Sequence, residues 1–144
     1  MNELLLMCMI AGRRAAIPAS QVQSVIEIDE ITPIPGTPGF VRGLTALRSQ
    51  ALTVIDCPVA LGLESSGEVS DQRAAVVDVG GHLYALLVDE AYDVGEARSE
   101  ATAVPGGFGS GWQHASLGMV ETDGGPALVI DVVTLVAGPV AEAA

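Results

Sequence analysis

Lysine is absent from this chain of 144 residues, and six arginines stand against 18 aspartates and glutamates, for a net charge of −12. Such a surface repels phosphate backbones and anionic headgroups, which argues against nucleic acid and membrane surfaces as partners. By itself the acidity does no more than keep a chain soluble. Aromatic residues are scarce at 3%, so the core must be aliphatic. Only two cysteines occur, Cys8 and Cys57, each in an apolar, strand-like setting. They read as small buried hydrophobes, not as a disulfide or a metal pair. The two histidines, His82 and His114, have no partner four residues away and no neighbouring cysteine, so they read as turn or surface residues and not as ligands. No stretch approaches the ~18 apolar residues of a membrane span. The apolar run Leu4–Ile10 is short, with Glu3 before it and Arg13-Arg14 after it, the reverse of a secretory signal. The cytoplasm is the expected compartment, without direct membrane insertion.

Catalytic patterns are missing as well. There is no G-x-S-x-G and no Cys–His grouping. The run GGFGSG (Gly106 to Gly111) lacks the Gly-Lys-Ser/Thr of a phosphate loop and reads as a flexible loop. Asp89 and Glu90 are adjacent and would point to opposite faces of a strand, a poor carboxylate pair. Neither an enzyme nor a cofactor is expected.

What is present is aliphatic and repeated. Hydrophobic residues make up 49%, enough to build a packed core. Gly43 to Asp56 (GLTALRSQALTVID) is echoed 75 positions later by Gly118 to Asp131 (GMVETDGGPALVID), and Met7 to Ile17 is echoed by Val76 to Leu86. One domain over 1–144 is expected, with an internal repeat of roughly 4–63 and 73–137 across a polar linker, 64–72. The repeat implies two similar β-rich lobes with a groove between them.

Along the chain, Leu4–Ile10 and Arg14–Ile17 read as strands, and Ser20 as the cap of a short helical turn through Val22 and Val25. Pro33, Pro35 and Pro38 exclude a central strand and make their segment an extended connection whose Ile side chains must pack somewhere. Phe40–Arg42 reads as a helical turn before a strand, Gly43–Arg48. Ser49-Gln50 turns the chain and Ala51–Ile55 returns. Asp56 and Asp131 read as caps of short helices. Arg73–Val79 and Leu83–Val88 form a hairpin across Gly80-Gly81, and Tyr92–Arg98 is a further strand. Ser99–Ser116 reads as a long loop, and Leu117–Thr122 with Pro126–Ile130 as the last hairpin. Short strands at regular spacing favour small barrels, which also remove exposed edges. Aliphatic surface beside a groove points to partner binding.

The run from Ile17 to Leu63 resembles the CheW family, the adaptors of bacterial chemosensory arrays. The resemblance rests on Ala16-Ile17-Pro18, Ile31-Thr32-Pro33-Ile34-Pro35, Gly43-Leu44-Thr45-Ala46-Leu47-Arg48 and Val54-Ile55-Asp56, and downstream on Leu86-Leu87-Val88-Asp89-Glu90 and Leu117-Gly118. It implies a mostly β fold of two small five-stranded β-barrel subdomains around a shared aliphatic core, with short helices. It also implies a non-enzymatic scaffold that couples the cytoplasmic tip of chemoreceptors to the regulatory domain of the histidine kinase CheA at membrane-associated arrays. By alignment with that family, Val22, Gly43, Arg48 and Ala74 fall near the receptor groove, and Val25, Ile26 and Leu47 on the kinase face. The chain departs from the family's Asn-Leu-Arg-Gly at Ala46-Leu47-Arg48-Ser49, where Ser replaces a residue suited to positive φ. A second reading is therefore a divergent adaptor of an accessory pathway (pilus, developmental or localisation) that competes with the main adaptor. A small-metabolite-binding barrel is disfavoured by the scarcity of convergent polar groups.

Overall fold

The structure, a computed structural model, describes residues 4–28, 30–63, 72–104 and 109–138. Of the expected linker at 64–72, all but Gln72, which opens a strand, lies outside the described residues, as do the tail from 139 and the first half of the GGFGSG run. Among the described residues ten strands form two five-stranded sheets. Sheet A holds β1 (Leu4–Ile10), β2 (Arg13–Pro18), β8 (Glu90–Glu96), β9 (Ser116–Thr122) and β10 (Gly125–Ile130), in the order β8-β1-β2-β10-β9. Sheet B holds β3 (Val22–Ile28), β4 (Val41–Leu47), β5 (Gln50–Asp56), β6 (Gln72–Val79) and β7 (His82–Val88), in the order β3-β6-β7-β5-β4. Replacing each strand of β1–β5 by its counterpart in β6–β10, and the reverse, turns one order into the other. The halves of the sequence are nevertheless not the lobes. Each sheet draws strands from both halves, through the parallel pairs β2/β10 and β5/β7.

This weave explains why the inner strands read as continuous apolar runs. One face of each packs into the centre of its own sheet and the other into a core shared by both sheets. Leu6, Cys8, Ile17, Ile55, Val77, Leu86, Leu128 and Ile130 belong to the shared core. Leu5, Ala16, Val120 and Val129 fill sheet A. Ile28, Leu52, Val54, Ala74, Val76 and Leu87 fill sheet B. The edge strand β3 instead alternates between covered and exposed residues, as a half-buried strand must.

The sheets are not closed barrels. After β3 the chain returns across the front of sheet B and meets β4 in a single bridge, Thr32 to Leu44. Pro33 and Pro35 supply no amide hydrogen to extend it. Sheet A repeats the device with Thr102 and Met119. Glycine makes both straps possible. A Cβ at Gly43 would lie 2.2 Å from the Thr32 carbonyl oxygen, and one at Gly118 2.7 Å from that of Thr102.

Other expectations are corrected. Ser20 sits within a single 3-10 turn, Ala19–Gln21, and Val22 and Val25 belong to β3. Phe40 lies in a turn, and Val41 and Arg42 already belong to β4. The β4–β5 turn is Arg48-Ser49, both at positive φ, with Gln50 paired to Leu47. The expected long loop Ser99–Ser116 contains a helix, α2 (Ser110–Ala115). Its Trp112 is fully buried in the shared core, and that burial holds a six-residue helix too short to be stable by itself. The short helices α1 (Cys57–Ala60) and α3 (Val132–Ala137) start at Asp56 and Asp131, whose carboxylates accept from the amides of Val59 and Thr134.

Candidate functional site

β3 alternates, and Val25 and Ile26 open onto different surfaces. Ile26 leans inward against the core of sheet B, beside Leu47 at the end of β4. Together they floor a concavity of ≈ 650 Å³, with Glu27 and Glu30 among its polar residues. Thr45 Oγ1 donates to the Glu30 carbonyl at 2.8 Å, tying the strap to β4 at this concavity. Val25 is exposed and lines a second concavity of ≈ 460 Å³ with Arg73 on β6 and Ala91, Tyr92 and Asp93 on β8. That hollow lies where strands of the two sheets face each other. The Tyr92 hydroxyl donates to Glu90. That hydrogen bond, with burial and the Glu90 charge behind it, pushes the phenol pKa up.

Arg48 stands exposed on the β4–β5 turn, beside the first concavity through its neighbour Leu47. The corresponding turn of sheet A carries Asp123, which takes a two-point hydrogen bond from Arg98 at 3.0 and 3.1 Å. Arg98 lowers the Asp123 pKa through that hydrogen bond and through charge. At the opposite end of the β4–β5 hairpin from Arg48, Arg42 Nε donates to Asp56 Oδ2 at 2.9 Å. The Asp56 side chain is 1% exposed and that of Arg42 is 26% exposed. Among the described residues no cluster of three metal-ligating side chains occurs, and no helix is long and apolar enough to cross a membrane.

A family model for the CheW-like domain matches residues 4–139. The chain belongs to that family. Among curated relatives, the chemotaxis protein CheW of Thermotoga maritima is 29% identical over 124 residues, covering 81% of this chain and 76% of its own length. The CheW of Bacillus subtilis is 28% identical over 93 residues, covering 65% of this chain and 60% of its own. A crystal structure of the scaffolding protein TtCheW from Thermoanaerobacter tengcongensis superposes with a TM-score of 0.76 at 24% identity, over 90% of this chain and 84% of that one. At that identity the likeness establishes the fold.

Within this CheW-like domain the alignment-derived residues separate. Ile26 and Leu47 come together at the first concavity, whereas Val25, adjacent to Ile26, opens onto the second. Gly43 and Ala74 are buried, Ala74 completely, so neither presents a side chain to a partner. Val22 is half-buried against the shared core. Glu27, Glu30 and Tyr92 were not singled out by the sequence. Period-2 alternation marks Glu27 as outward, but nothing local says that Glu30 on the strap returns to β4. The Arg42–Asp56 pair likewise spans 14 positions without a local signal.

Proposed function

We propose that this CheW-like protein is a non-enzymatic scaffold of bacterial chemosensory signalling. In this reading it couples the cytoplasmic tip of chemoreceptors to the regulatory domain of the histidine kinase CheA, on the cytoplasmic side of membrane-associated arrays. The observation that carries it is the match of the CheW-like domain to residues 4–139, with curated relatives that are chemotaxis CheW proteins. Ile26 and Leu47 offer the kinase an aliphatic floor with acidic neighbours, and Val25 extends that surface around the edge strand. Arg48 is the principal receptor contact. Val22, Gly43 and Ala74 support the receptor face from within, by packing.

The test is a calorimetric titration of the purified CheA regulatory domain from the same organism. Micromolar binding is expected, weakened by Ile26→Glu, while Arg48→Glu retains kinase binding and uncouples it from receptors. Absence of binding between two folded proteins would sink the reading. The turn favours the divergent adaptor as a second reading. Ser49 sits at φ 68°, where glycine is the comfortable residue, so this surface differs from that of standard members. Exclusion of the protein from ordinary receptor arrays in cells would favour that alternative.

A further inference from the structure

The two sheets carry one device at equivalent places and complete it differently. In sheet B a β-bulge between Val41 and Gly43 projects Arg42, which donates to Asp56 Oδ2. Asp56 Oδ1 accepts from the Val59 amide at 3.3 Å, and the Asp56 amide donates to the Phe40 carbonyl at 2.8 Å. In sheet A the bulge falls between Ser116 and Gly118 and projects Leu117 instead. Asp131 repeats the cap, its Oδ1 accepting from the Thr134 amide at 3.3 Å and its amide donating to the Ala115 carbonyl at 2.8 Å. Its Oδ2 accepts from the Thr134 hydroxyl at 2.9 Å. Among the described residues no cation pairs with it.

Burial follows the charge. Asp56, with its guanidinium, is fully buried, and Asp131 is only half-buried. Leu117 and Val133, the bulge residue and the second residue of α3, are 60% and 57% exposed. Exposed leucines taken singly need no explanation. Here two aliphatic side chains come from the elements that meet at a cap carboxylate, in a frame whose duplicate seats a guanidinium on Oδ2, the oxygen that on Asp131 accepts from the Thr134 hydroxyl and has a second lone pair to offer. A surface covering them would strip water from Asp131, and an unpaired carboxylate resists that. The occupant must therefore bring both aliphatic area and a cation. Arginine suits the seat better than lysine, because a planar guanidinium can approach Oδ2 side-on while Oδ1 keeps its cap.

We propose that the Leu117–Asp131–Val133 face is a docking site for a protein partner that inserts an arginine flanked by aliphatic side chains. The guanidinium takes on Asp131 the place that Arg42 takes on Asp56. The site does not depend on the scaffold reading above.

The test is an NMR titration of the isotope-labelled full chain with acetyl-leucyl-arginyl-leucyl amide. Saturable shifts are expected at the amides of Leu117, Val133 and Thr134. Asp131→Asn keeps a capping oxygen and removes the charge, and should weaken binding about tenfold. Leu117→Arg lets the chain fill its own seat and should abolish binding. The same peptide with citrulline in place of arginine has the shape without the charge and should not bind. Shifts that map elsewhere, equal binding of the citrulline peptide, or an unchanged Asp131→Asn titration would each overturn the proposal. So would no saturable shift at all. Concentration-dependent shifts of these amides without peptide would give the face to a second copy of the chain, and would overturn it equally.

Discussion

Asp56 shows how one residue can do two jobs that sequence reading separates. Its first oxygen caps α1 and its second holds Arg42. Removing Arg42 leaves a carboxylate buried without its counter-charge. Breaking a buried pair from one side typically costs 3–5 kcal/mol, and the partial exposure of Arg42 lowers this, so Arg42→Ala should lose about 2–3 kcal/mol. Leu117→Ala, at the equivalent position of sheet A, should be nearly neutral. Urea unfolding of the two variants side by side measures the difference. The cysteines make a second residue-level prediction. Burial, then the Asp89 charge, pushes the Cys8 pKa from 9.0 up to about 12. Burial also drives the Cys57 pKa up, with the Cys8 charge next in effect. Both thiols hold their protons more tightly folded than unfolded. Their contribution is fully present below pH 9 and is lost as pH rises towards 12. With no lysine in the chain, few other groups mask the effect. Stability at pH 10 should fall by about 1 kcal/mol per thiol relative to pH 8, and Cys8→Ala should flatten that slope in denaturant titrations at the two pH values.

At the scale of elements, the hairpins were legible and the straps were not. Gly80-Gly81 and Asp123-Gly124-Gly125 sit between short apolar runs, and the strands lie within a residue of where that pattern puts them. Asp56 and Asp131 announce their helices because capping is local chemistry. The helix α2 had no such announcement. It exists because Trp112 needs the shared core, a requirement invisible from its Gly-rich neighbours. The glycines of the two echoed segments, Gly43 and Gly118, signalled a repeat but not its purpose, which is contact with a strap carbonyl. Gly43→Ala should cost about 2–3 kcal/mol through overpacking, on top of an unfavourable φ of 140°. Gly118→Ala should cost somewhat less. Gly39→Ala, whose added Cβ would meet only Val59 Cγ1 at 4.0 Å, should change little. Thermal unfolding of the three variants ranks them, and equal midpoints would refute the strap account.

For the whole molecule, the decisive feature is that each sheet needs strands from both halves. A chain divided within 64–71 yields two pieces, neither of which contains a complete sheet. Each piece alone should lack cooperative unfolding, and mixing them should restore it, as circular dichroism would show. Independent folding of either piece would mean that the parallel pairs β2/β10 and β5/β7 matter little. The weave also governs the candidate site. It sets β3 and β8, edge strands of different sheets, close enough for Val25 and Tyr92 to line one hollow.

The sequence by itself determined every strand but β3, most turns, both cap aspartates, the aliphatic character of the core and membership in a family, because each depends on neighbours in the chain or on composition. Only the tertiary structure decided which strands share a sheet and that the barrels stay open. It alone separated Val25 from Ile26 and Leu47, buried Ala74, and left Asp131 without the arginine that Asp56 has. Those outcomes depend on which distant residues meet across sheets, and nothing in local periodicity encodes that.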